Sequence, residues 1–284
     1  MRPAGRENPS EPFIFPGSNG QAQIPSNGSA IFRKIVKRSA RAIEEGRKLA
    51  IADDTDATHA MRIELTRVRA ATAFFEDWIA DAEWRAISNE LTWLNAALGK
   101  ARNCDVTVQY ADERRYRRWA RHSRRRLLRS QNKAHHRLAA ELRSTRYGRL
   151  MSALHLWLAK NTFRHNKYEL RPDGDHDYWE EQLRAWREKL CRKGRHVGVL
   201  GRKQQHLIRI QSKYYRYMVD SLLRLDMTVS REDFVFSEVL KEVHQDLGEL
   251  RDLRRLRKSV GTPPPHYRRR KRELISRVER SFRR

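Results

Sequence analysis

The sequence predicts an all-α protein, and three observations carry that prediction. Glycine and proline are thin through the middle of the chain and gather near its ends. No segment alternates apolar and polar residues for long enough to read as a strand. From Ala30 onward, apolar residues recur at three- and four-residue spacing, the period of a helix with one buried face. At 39% hydrophobic residues, with seven Trp and nine Phe, the chain holds enough apolar surface for one large core or two small ones.

Residues 1–29 hold Pro3, Pro9, Pro12, Pro16 and Pro25 among Gly, Ser and Asn. Such a stretch cannot sustain a helix or bury much surface, so a disordered tail is expected there. The first helix is expected over 30–52, where Asp53, Asp54 and Asp56 end it and offer capping carboxylates to the next; Thr58 is another candidate cap. Further helices are expected at 57–79, 83–100, 104–143, 146–162, 177–198, 203–225, 233–250 and 252–260, with a last one at 267–283 after the GTPPP break. The turn cluster RPDGDHD at Arg171–Asp177 divides a first half, 30–165, from a second, 166–284.

The two halves resemble each other. HAMRIELTRVRAATAFF begins at His59 and HLIRIQSKYYRYMVDSLL at His206. A slide of 147 residues aligns His59 with His206, Arg62 with Arg209, Thr66 with Lys213 and Arg69 with Arg216. Further on, LGKARNCD from Leu98 meets LGELRDLR from Leu247, which pairs Gly99 with Gly248 and Arg102 with Arg251. Two motifs in the same order at nearly the same separation imply two helical subdomains related by a pseudo-twofold axis.

Positions 59, 62, 66 and 69 share one strip of a helix, as do 206, 209, 213 and 216. A different face carries the core seam: Met61, Leu65, Val68, Thr72 and Phe75 in the first copy, and Ile208, Ser212, Tyr215, Val219 and Leu222 in the second. None of Arg62, Arg209 and Lys213 has a carboxylate four residues on to neutralise it. Like charges stacked at this spacing weaken a bare helix, so an anion is expected on the strip. Guanidinium, ammonium and imidazole together suit phosphate oxygens, and His59 lies near a helix start, where the backbone dipole favours an anion. The whole chain points the same way: 61 Lys and Arg against 35 Asp and Glu give a net charge of +26.

At these residues the chain resembles the CHAD family, the conserved histidine α-helical domain, whose pattern sets His, Arg at +3 and basic residues near +7, +8 and +10 in each of two repeats. The resemblance covers roughly 30–284. It points to His59, Arg62, Arg67 and Arg69 in the first copy and His206, Arg209, Lys213 and Arg216 in the second. LRSTRYGRLMSALHLWL, with Arg146, resembles the family's middle helix, and LGKARNCD, with Arg102, its LGxxRDxD segment. Thr66 and Tyr214 depart from the pattern where basic residues are common. The resemblance implies two four-helix-type halves around a basic central channel that binds inorganic polyphosphate without catalysis, in proteins often associated with polyphosphate granules.

Other classes have weaker support. The chain holds no ExExK, HExxH or P-loop pattern and no dense carboxylate cluster, so no enzyme, metal or cofactor is expected; Asp105 and Asp252 are read as carboxylates that orient neighbouring arginines. Cys104 and Cys191 stand outside any CxxC pair and are read as ordinary thiols. ALHLWLA is far shorter than the ~20 residues that cross a bilayer, and no charged-then-apolar start is present, so a cytoplasmic protein is expected. The rival partner is nucleic acid: 114–149 contains 14 Lys or Arg against Glu141 alone, with Tyr116 and Trp119 interspersed.

Overall fold

Two long helices, α3 (Ala82–Asp112) and α9 (Arg231–Val260), frame the fold in the computed structural model, which describes residues 12–13, 28–79, 82–160 and 176–283. Before α3 come α1 (Gly28–Ile51) and α2 (Thr55–Phe74). After it come α4 (Arg114–Ala120), α5 (Arg124–Arg143) and α6 (Thr145–Ala159). The second half supplies α7 (His176–Gly194), α8 (Arg202–Leu223), α9 and α10 (Tyr267–Ser281). Asp54 caps α2, its carboxylate accepting from the Asp56 and Ala57 amides at 2.8 Å, while the Thr58 hydroxyl donates back to the Asp54 carbonyl.

The helices depart from sequence expectation in several places, among them the helix expected over 57–79, which ends at Phe74 ahead of a 3-10 turn at Glu76–Trp78. No break falls at 100–104 or at 251, since α3 and α9 run unbroken through both LG segments. Glycine inside a helix costs about 1 kcal/mol relative to alanine, but Gly99 and Gly248 are both buried, and packing carries the helix through them. The single helix expected over 104–143 is instead interrupted at Glu113, whose extended ψ of 139° starts α4, and again by a 3-10 turn at Arg121–Ser123. The break falls at Asp112 and Glu113, whose carboxylates accept from Arg124 and Arg115 of the elements that follow. Finally, Pro12–Phe13 (β1) pairs antiparallel with Val229–Ser230 (β2), a two-residue bridge no alternation foretold. The rest of the expected tail up to Asn27, and the turn at 171–175, lie outside the described residues.

One hydrophobic cluster runs through both halves, from Phe32 and Leu65 to Tyr215 and Leu222. Phe32 sits edge-on to Trp84 at 4.9 Å and to Trp157 at 6.0 Å. A smaller cluster joins Tyr116 and Leu127 of α4 and α5 to Leu253 of α9 and Leu274 of α10. The expected core seams are where the pattern put them: Met61, Leu65, Val68 and Phe75 are buried and Thr72 is partly so, while Ile208, Ser212, Tyr215, Val219 and Leu222 are all buried. With these faces inward, α2 packs on α1, α3 and α8, and α9 on α3, α8 and α10.

A buried polar knot fixes the second half. Asp233 accepts from the Tyr215 hydroxyl at 2.5 Å, from the Ser230 hydroxyl at 2.7 Å and from Arg187, so one carboxylate ties α7 and α8 to the start of α9. Burial is the first cause that pushes the Tyr215 phenol up, and Asp233 is the second. Asp233→Ala strands a buried hydroxyl and one side of a guanidinium. It is expected to lower stability by about 3 kcal/mol in urea denaturation.

Candidate functional site

Cations from four helices converge where α2 and α8 cross between α3 and α9. Arg62 of α2 feels Arg251, Arg209, Arg102 and Arg255; after burial, these neighbours bring its guanidinium down to about 10. Arg209 of α8 is likewise at about 10, through burial and then Arg251. Lys213, one turn further along α8, is held at about 7 by burial and by Arg209, Arg62, Arg251 and Arg216. His244 of α9 is pushed down to about 2 by burial and then by Arg209, Lys213, Arg216 and Arg251. Its imidazole is therefore neutral at any physiological pH in the free protein.

Very little opposes this charge. Asp252 is the carboxylate set among these cations; burial raises it, and its oxygen accepts from Arg255 Nη1 at 2.9 Å. Among the described residues, Arg62, Arg102, Arg209, Lys213, Arg216 and Arg251 form no ion pair. Asp220 stands four residues after Arg216, but its oxygens accept from Arg67 and Arg224. Arg209 Nε, Arg216 Nε and His244 Nε2 are buried with no hydrogen-bond partner. Buried donors left unpaired are costly, on the order of 1–3 kcal/mol each, so this arrangement suits an anion rather than the free fold.

The two LG segments hold the arginines in the same way. A Cβ at Gly99 would lie 3.7 Å from Arg62 Nη1, and one at Gly248 would lie 3.7 Å from Arg209 Nε. Each guanidinium thus rests over bare helical backbone. On the α8–α9 side, His206, Arg209, Arg251 and Arg254 line a cleft of about 310 Å³. His59 and His206 stand at the exposed edge, both lowered first by burial, then His59 by Arg102 and His206 by Arg251.

A family model described as the CHAD domain matches residues 34–261. The chain belongs to the CHAD domain family. Among solved structures, this CHAD domain is similar to the CHAD domain from the plant Ricinus communis, at 18% identity and a TM-score of 0.72, over 95% of this chain and 96% of that one. It is also similar to PptA from Streptomyces chartreusis, at 15% identity and a TM-score of 0.60, over 90% and 95% of the two chains. At these identities the likeness is one of fold. No curated protein matches it.

Of the residues the sequence singled out, the CHAD fold brings His59, Arg62, Arg102, His206, Arg209, Lys213 and Arg216 into one field. Arg67 and Arg146 lie elsewhere, and Arg69 adjoins Tyr214, the neighbour of Lys213 in sequence. Arg67 turns about 80° away from the His59 strip, because eight residues overshoot two turns by that angle. It is buried, donating to Asp220 at 2.5 Å, to Glu64 at 3.2 Å and to Ser221 at 3.2 Å. Its guanidinium also lies over the Tyr217 ring at 5.5 Å, so it bolts α2 to α8. Arg69 is half-buried beside Tyr214 of α8, whose phenol its charge draws down against the larger effect of burial. Arg146 pairs with Glu90 at 2.7 Å and stacks over Trp93 at 4.2 Å; twelve residues of α3, about 18 Å, separate that spot from Arg102.

The carboxylates divide as well. Asp252 orients Arg255 as expected, whereas Asp105 is buried on the α5 side, accepting from Gln131 at 2.9 Å and lying 2.7 Å from His135 Nε2. Sequence reasoning missed His244 and Arg255, and it matched Arg251 to Arg102 without placing it in the site. The signal was present: positions 244, 248, 251 and 255 fall at 0, +4, +7 and +11, one strip of α9. Among the described residues no group of three His, Cys, Asp or Glu is placed to hold a metal, and no helix is long and apolar enough to cross a membrane.

Proposed function

We propose that this CHAD domain binds a linear inorganic polyanion, polyphosphate, along the cations of α2, α3, α8 and α9. The observation that carries this reading is the set of buried, unpartnered nitrogens at Arg209, Arg216 and His244 amid cations with Asp252 as their counter-charge. Repeating phosphate oxygens accept from several such donors at once, and a thin flexible chain reaches a space between packed helices more readily than a stiff duplex. The role is one of binding without chemistry: imidazole and guanidinium hold oxygens, and no residue of the cluster is assigned a nucleophile or base. Attachment to polyphosphate granules in the cytoplasm follows from the same reading. The test is competition between long-chain polyphosphate and single-stranded DNA of equal charge at one salt concentration. Polyphosphate is expected to win by about tenfold or more, a gap of ~1.4 kcal/mol; a preference for DNA would overturn the assignment.

Binding should take up protons. Lys213 at about 7 and the lowered His59 and His206 are partly neutral in the free protein, and phosphate oxygens favour their charged forms. Affinity is therefore expected to rise as pH falls from 8 to 6. Stability of the ligand-free fold runs the other way: Lys213 binds its proton less readily folded than unfolded, so stability rises with pH from about 7 up to the ordinary lysine range near ~10. Lys213→Met should flatten both profiles. Titration calorimetry in two buffers of different ionisation enthalpy reads the proton uptake directly; no uptake by the wild type would contradict the assignment of Lys213.

A further inference from the structure

We propose that the outer face formed by α4 and α5 is a second anion site, separate from the central cluster, that binds double-stranded nucleic acid through its phosphate backbone without reading sequence. Residues 114–149 supply 14 Lys or Arg, and the structure exposes every one of them. Some are already engaged: Arg115 with Glu113, Arg124 with Asp112, and Arg126 with the Ser259 carbonyl. The side chains of Arg114, Arg117, Arg118, Arg125, Arg129 and Lys133 have neither ion pair nor hydrogen bond among the described residues. Arg125, Arg129 and Lys133 follow one another at four-residue steps, a row of cations about 6 Å apart along α5. Arg114, Arg117 and Arg118 share one face of α4.

Its position sets this face apart from the cluster already described. α5 rests on α3, and α3 in turn rests on α2, which puts a helix between α5 and Arg62; Lys133, at the near end of the row, shares a cleft with Lys100 and Cys104 of α3.

Three features select the partner. Arginine outnumbers lysine on the face, and a planar guanidinium fork matches phosphodiester oxygens. Of the segment's aromatics, Tyr116 and Tyr147 are buried and Trp119 is half-buried, its indole donating to Thr262 at 3.1 Å. With most ring surface covered and cations predominating, the face favours a duplex held by its backbone over a strand held by base stacking. The exposed large apolar side chains, Leu49, Leu156, Val199, Leu207 and Val235, all lie outside 114–149, so the face has nothing to insert into a lipid surface. A CHAD domain built this way carries duplex on its outside while its centre is occupied.

The test is fluorescence anisotropy with labelled random-sequence duplex DNA across a salt series, first without polyphosphate and then with the protein saturated by it. The wild type is expected to bind duplex in both conditions. The fourfold variant Arg117→Gln, Arg118→Gln, Arg125→Gln, Arg129→Gln should lose about tenfold or more in duplex affinity, and its slope of log affinity against log salt should shrink by about 3–4. Its affinity for polyphosphate should stay within about threefold, since screening cuts off charges more than a Debye length away. Loss of duplex binding once polyphosphate is present, or an unchanged salt slope in the fourfold variant, would overturn the proposal by assigning the duplex to the central cluster. Tighter binding to phosphatidylserine vesicles than to duplex would overturn it in favour of a membrane. Because duplex binding is measured first without polyphosphate, failure of the central reading leaves this result intact.

Discussion

Replacing Arg62 and Arg209 together by glutamine is expected to weaken polyphosphate binding by about a hundredfold or more and, at the same time, to make the ligand-free protein more stable. Each guanidinium lost from a phosphate removes a charged hydrogen bond of about 1.5–3 kcal/mol, and ~1.4 kcal/mol is tenfold in affinity. The gain in stability follows from the same electrostatics read without ligand. Both guanidiniums are lowered to about 10, first by burial, then by Arg251 and their other neighbours, so the fold spends free energy keeping them charged. Glutamine keeps hydrogen-bonding capacity and drops that cost, an expected gain of about 1–2 kcal/mol for the pair. Urea denaturation and a polyphosphate titration on the same variant decide it. A variant that binds weakly because it is less stable would mean that these arginines build the fold rather than the site.

Arg67→Met should give the reverse pattern, with stability lost by about 3 kcal/mol and polyphosphate affinity unchanged in whatever fraction is folded. Arg67 is almost fully buried between Glu64 and Asp220, and it joins α2 to α8 through both. Removing one partner of a buried pair typically costs about 3–5 kcal/mol because the other charge is left without compensation. The lower end applies here, since Asp220 is 43% exposed, still receives Arg224, and is partly hydrated. Glu64, at 16% exposure, retains the Ser39 hydroxyl at 2.7 Å. Affinity that falls together with stability would return Arg67 to the binding residues, where the family pattern alone placed it.

Taken together, the two variants separate arginines that look alike in sequence. Arg62 and Arg67 stand five residues apart on one helix, with one burdened by like charge and the other neutralised by two carboxylates. The family's basic positions near +7 and +8 do not share a helix face, since a step of one residue turns the side chain by about 100°. The periodicity of the chain already separated the His59–Arg62 strip from Arg67; the identity of what waits on Arg67's side was not in it.

Helix existence was legible because apolar period and breakers act locally. Where one helix stops was less so. Helix boundaries were expected within the LG segments, yet α3 and α9 run through Gly99 and Gly248, carried by packing that includes Arg62 and Arg209. That benefit comes from another helix and is invisible in a local window. The break at Glu113 was missed for the opposite reason: the chain keeps helical period across it, while the Arg115–Glu113 and Arg124–Asp112 pairs that form there are set by the folded arrangement.

The sequence by itself determined the all-α class, the buried seams of α2 and α8 and the two rows that begin at His59 and His206, because each of these is a property of one helix and its 3.6-residue period. Only the tertiary structure decided which rows meet. Packing α2 on α8 with α3 and α9 on their flanks sets His244, Arg251 and Arg255 among Arg62, Arg209 and Lys213, and it brings Asp220 to Arg67 from 153 residues away. Burial between those helices first, and then the cations that the packing gathers, lower Lys213 to about 7 and His244 to about 2, since a charge loses its hydration only when other elements close over it.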